Sequence, residues 1–122
     1  MTIKLAALSL LAFLALVVAP TAARADDLAD AKAFIGKQVE LIKKGDVAAL
    51  KAGFSKRQQE RVTAEAVKRA AGQAGKMTLD DLVASAAPNG KDTLKIKMKN
   101  GRTLTTLIKE DGHWVADTIW FK

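Results

Sequence analysis

The hydrophobic period of this chain changes at Pro88-Asn89-Gly90, and no other feature constrains the fold as much. Before that point apolar residues recur every three or four positions, the spacing of a helix with one buried face. After it, Leu94, Ile96 and Met98 interleave with Lys95, Lys97 and Lys99, the period-two alternation of a half-buried strand. A helical half followed by a stranded half reads as an α+β domain. The expectation is three or four N-terminal helices packed on a C-terminal curved antiparallel sheet, three-stranded or four-stranded.

Residues 1–25 lie outside this pattern. Lys4 gives a positive start, Leu5 to Ala19 carries no charge, and Pro20 breaks any helix. Ala23-Arg24-Ala25 then supplies the small-x-small site that a signal peptidase cuts. The apolar run is 15 residues, short of the roughly 20 that a spanning helix needs. A cleavable signal peptide is therefore expected, giving a secreted or periplasmic product cut at Ala25-Asp26. Residues 26–122 make one domain of 97 residues, with 18 basic and 13 acidic side chains and a net charge of +5. No transmembrane segment is expected in it. The chain has no cysteine. Disulfides, thiolate metal sites and cysteine nucleophiles are thereby excluded, and the core alone must hold the fold.

The spacing predicts helices over about 27–44, 47–53, 56–73 and 79–86. Leu28, Ala31, Ile35, Val39 and Ile42 form the stripe of the first, and Lys43-Lys44-Gly45 is its stop signal. Asp46 caps the second, which shows Val47, Leu50 and Phe54 on one face. Ser55 and Gln58 have capping-box spacing, and Thr63 is a clearer cap, with Val62 and Val67 at staple positions. Thr78 repeats the device between Met77 and Leu82.

Strands are expected over about 92–99, 102–110 and 113–121, joined at Asn100-Gly101 and Asp111-Gly112. A three-residue Lys99-Asn100-Gly101 loop would oppose Ile96 to Leu104. It would place Leu94, Ile96, Leu104 and Ile108 on the core face, with Leu107 among the lysines. The last strand is apolar on both faces. A two-residue second turn buries Val115, Ile119 and Phe121; a three-residue one buries Trp114 and Trp120. The second keeps the Asp117 carboxylate out of the core, which tips the balance towards buried tryptophans.

The helix break at Lys44-Gly45-Asp46, the short helix ending in Phe54, the cap at Thr63 and the closing Asp111-Gly112-His113-Trp114 hairpin stand in a familiar order. This order resembles the small exported members of the nuclear transport factor 2-like superfamily, the cystatin-like roll. The resemblance spans the mature domain and implies helices lying across a curved antiparallel sheet. It departs from that pattern in showing no clear strand between the helices. The superfamily hosts isomerases, dehydratases, hydrolases and non-catalytic binding modules, so it implies architecture and not chemistry.

His113 is the only histidine, and with Asp117 it makes the sole candidate acid/base pair. One histidine and no cysteine give no metal cluster, and no cofactor motif is present. Lys95, Lys97, Lys99 and Lys109 are candidate contacts to an anionic envelope component, or else a solvated edge that blocks strand pairing. Nucleic acid is disfavoured, because the chain has no tyrosine and few aromatics for stacking. Trp114 and Trp120 could line a ligand pocket, cover a homodimer face on the open sheet, or belong to the core.

Three functions follow as expectations. The first is an exported non-catalytic binding or interaction module with an unknown small ligand. The second is a small isomerase- or dehydratase-like enzyme using His113 and Asp117. The third is an electrostatic binder of envelope polyanions.

Overall fold

The structure is a computed structural model and describes residues 25–121. The signal-peptide segment, expected over residues 1–25, lies outside the described residues apart from Ala25. Helix α1 spans Ala25–Lys44, with Asp26 and Asp27 at its positive end and Lys43 and Lys44 at its negative end. Its buried stripe is Ala31, Ile35, Gln38 and Ile42. Helix α2 covers Val47–Ala52, and Asp46 caps it by accepting from the Ala49 amide.

The helix expected over 56–73 is divided. Gln59–Arg61 is a single 3-10 turn, and helix α3 begins only at Ala64–Gln73, where Thr63 accepts from the Ala66 amide. The Thr63 cap prevails because it satisfies a free helix amide. Ser55 spends its hydroxyl elsewhere, donating to Asp117. Helix α4 is short, Leu79–Leu82, closed by a full capping box between Thr78 and Asp81.

The helix expected over 79–86 stops at Leu82, and Ser85–Pro88 forms a strand, β1. Its alanines have helical propensity, but pairing with a neighbouring strand overrides so weak a preference. Strands β2 (Thr93–Lys97), β3 (Thr103–Glu110) and β4 (His113–Ala116) follow. All pairs are antiparallel, in the order β1-β2-β3-β4. The domain is thus α+β, with helices first and then a four-stranded open antiparallel sheet.

The β2–β3 hairpin has the expected three-residue loop. Gly101 is left-handed at φ 88°, and the Met98 amide donates to Arg102. A bulge then intervenes: Lys97 pairs with Thr103, but Ile96 pairs with Thr105 and Leu94 with Leu107. Leu104 is the extra residue. The expected pairing of Ile96 with Leu104 is therefore corrected, and so is the face assignment. Thr105 and Leu107 are buried with Leu94 and Ile96, while Ile108 turns to the other face.

The second turn has two residues, Asp111 and Gly112, both at positive φ, so Glu110 pairs with His113. The three-residue turn favoured by the Asp117 argument does not form. Strand β4 also ends at Ala116 rather than 121. Beyond it the Asp117 amide donates to the Thr106 carbonyl, and the two hydroxyls of Thr105 and Thr118 meet at 2.7 Å. The alternation assumed over 113–121 is thus broken after four residues. Trp114 and Trp120 are half-buried, while Val115 and Phe121 are buried at 6% and 7% exposure.

The outer edge of β4 is covered. Phe54 makes a parallel bridge with Ala116; the Ala116 amide donates to Gly53 and the Ser55 amide to Ala116. One bridge between the helices therefore stands where the sequence shows no strand. Phe54 anchors it in the core, edge-on to Phe121 with ring centroids 5.6 Å apart.

Candidate functional site

Between α1, α3 and the β2–β3 hairpin the core is left open as a groove of about 210 Å³. Val39 and Ile42 of α1 form its floor with Trp120 and Phe121 of the C-terminal tail. Ala70 of α3 and Leu104, the bulge residue, form its sides. Met77 and Met98 stand at its edge, and Met77 is the one exposed large hydrophobic among the described residues, at 41%. Polar side chains enter the lining only as Gln73 and Lys76; no carboxylate, imidazole or hydroxyl does. Such a lining can sequester an apolar group, and its unbranched, polarizable methionines adapt to varied shapes.

The sequence places Trp120 here because Gln38 holds it. Trp120 Nε1 donates to Gln38 Oε1, and Gln38 Nε2 donates to the Gly53 carbonyl at 3.2 Å. A side chain at position 53 would put Cβ 2.7 Å from Gln38 Nε2, so the bridge needs glycine there. One buried amide thus ties α1, the α2 exit and the tail, and fixes the groove floor.

A second cluster lies at the end of β4. Asp117 accepts from Ser55 Oγ at 2.9 Å and from Arg57 Nε at 2.8 Å, and Arg57 Nη2 closes the fork on its other oxygen. Gln58 Nε2 donates to the Asp117 carbonyl. The Arg57 hydrogen bond, with help from Ser55, holds the Asp117 carboxyl below its ordinary range, against the opposing effect of burial. Ser55 is fully buried and donates its proton to a carboxylate already paired with a cation, so it is a tie and not a nucleophile.

The other residues singled out by sequence are dispersed. His113 is exposed at the start of β4, and no hydrogen bond or ion pair joins it to Asp117, whose carboxylate faces Ser55 and Arg57. Neither residue lines the groove. Lys95 and Lys97 lie on the helix-free face of β2, which is an interior strand between β1 and β3. They therefore do not guard an edge. Lys99 is in the hairpin loop, and Lys109 is on the opposite face, with Nζ 5.0 Å from the Trp114 ring centroid.

Sequence reasoning missed Gln38, which holds the floor, and, in the lining itself, Gln73, Ala74 and Lys76 and the part played by Met77 and Met98. Gln38 had a signal: at positions 31, 35, 38 and 42 a polar residue interrupts a stripe of core spacing, and a buried amide needs partners. Met77 reads from sequence only as a staple beside a cap. No group of acidic and histidine residues among those described could hold a metal ion, and no described helix is long and apolar enough to cross a membrane. Compared with known protein families, curated proteins and solved structures, the chain matches none.

Proposed function

We propose that this chain is an exported, non-catalytic binding module of the nuclear transport factor 2-like type, and that its ligand enters the groove beside Met77 and Met98. What carries the reading is the lining: apolar walls, two methionines and a single cation offer burial but no acid/base pair to move a proton. The order of elements supports the type, with helices set across an antiparallel meander and a tight closing hairpin at Asp111-Gly112. The leader at 1–25 supports export. A homodimer through the sheet loses its motive, since Leu107, Val115 and Phe121 are covered within one chain.

The test uses protein recovered from the exported fraction of cells making the full chain. Mass spectrometry is expected to find Asp26 as its first residue. That protein is expected to bind the neutral apolar probe N-phenylnaphthylamine saturably, with a rise in probe emission. Ala74→Phe, which narrows the groove, is expected to abolish this while the circular dichroism stays unchanged. A full-length chain in the membrane fraction would remove the export reading. Probe binding that survives Ala74→Phe would remove the groove.

A further inference from the structure

Resting on the groove reading above, the geometry points to a ligand class: a monomeric single-chain amphiphile with an anionic head, its tail in the groove and its head between Lys76 and Lys99. Size argues for the chain. At about 210 Å³ the space exceeds the roughly 150 Å³ cavity that accepts a benzene and falls below the roughly 300 Å³ where drug-sized pockets begin. A flexible alkyl tail fits that interval and can follow the shape of an open groove.

Charge argues for the head. Lys76 is part of the groove rim, and a shallow recess holding Lys99 adjoins the groove across Met77 and Met98, which line both. Lys76 and Lys99 are exposed, and among the described residues neither makes an ion pair. Asp81, in the same recess, keeps its charge, with one carboxylate oxygen turned to the Thr78 amide at 3.3 Å in the capping box. The groove's other neighbour, beyond Phe121, carries Arg61 and Arg69, but Arg69 faces Glu65 at 3.7 Å. At the lysine end two cations stand without an ion pair, against Arg61 alone at the other, and the exposed Met77 beside the lysines provides the apolar threshold a tail must cross.

The experiment titrates dodecanoate and dodecyltrimethylammonium below their micelle concentrations, and dodecanol below its solubility limit, into a Trp114→Phe background in which Trp120 is the only tryptophan reporter. Dodecanoate is expected to shift Trp120 emission at one equivalent and to bind roughly three- to tenfold tighter than dodecanol, the range two exposed ion pairs supply. The cation is expected to bind weakest. The pair Lys76→Gln and Lys99→Gln is expected to remove dodecanoate's advantage, so that the variant binds dodecanoate and dodecanol equally. Equal binding of all three in the parent protein overturns the head-group assignment and leaves the groove standing. No binding of any of them overturns both. Binding to anionic vesicles without binding to monomeric dodecanoate overturns the ligand class in favour of a membrane surface.

Discussion

Asp117 is the residue at which the sheet and the helical half are fastened together. Its carboxylate gathers Ser55 from the bridge and Arg57 from the loop beyond it, and so fastens the start of the tail to the helical half. Because its folded pKa is lowered, the stability it contributes is fully present above the value it would have in the unfolded chain. That stability is lost as pH falls through the lowered folded value. Asp117→Asn is accordingly expected to cost roughly 1 kcal/mol at neutral pH, a modest figure because Arg57 is largely exposed. It should also flatten the acid limb of the stability curve measured by urea denaturation between about pH 5 and pH 2. An unchanged acid limb would show that the tie is not formed in solution. Sequence reasoning saw Asp117 as a candidate partner for His113 and as a carboxylate to keep out of the core, because separation along a strand shows which face two residues share. It does not show which distant loop will reach one of them first.

At the scale of elements, the sequence is most informative where one local device decides the outcome. Thr63 and Thr78 cap as read, and the three-residue loop at Gly101 forms with its left-handed glycine. Gly101→Val is expected to cost roughly 1–2 kcal/mol or more, since a β-branched side chain resists φ 88°. Thermal melts would register this as a drop of several degrees. An unchanged melting temperature would mean the loop tolerates another turn. The errors share one cause. The bulge at Leu104, the strand at Ser85–Pro88 and the early end of β4 are each decided by a partner across the sheet or beyond it. Alanines at 84, 86 and 87 favour a helix locally and lose to β2, whose Lys97 carbonyl accepts the Ala84 amide. The bulge resolves a conflict that parity alone cannot express. The left-handed turn requires one register and the Leu107 core position requires the other, and one extra residue satisfies both.

Taken as a whole, the molecule combines a local meander with one long closure. Each sheet strand pairs with the next in sequence, so the four can zip together through short turns. The bridge at Phe54 and Ala116 is different in kind, since Ser55 and Asp117 are separated by 62 positions. Closing so large a ring carries an entropic cost that only contacts made afterwards offset. The tie should therefore form after the rate-limiting step. Ser55→Ala is expected to speed unfolding and leave the refolding rate unchanged in stopped-flow chevrons, at a stability cost of roughly 1–2 kcal/mol. A matching slowdown of refolding would place the tie in the nucleus instead. One consequence concerns time rather than structure. The partners that lock the helical half are Ala116, Asp117, Trp120 and Phe121, all beyond the turn at Asp111-Gly112. A ribosome makes them after every helix and after β1 to β3, so the helices emerge before these partners exist. The order of synthesis therefore delays the closure that Phe54 and Asp117 make.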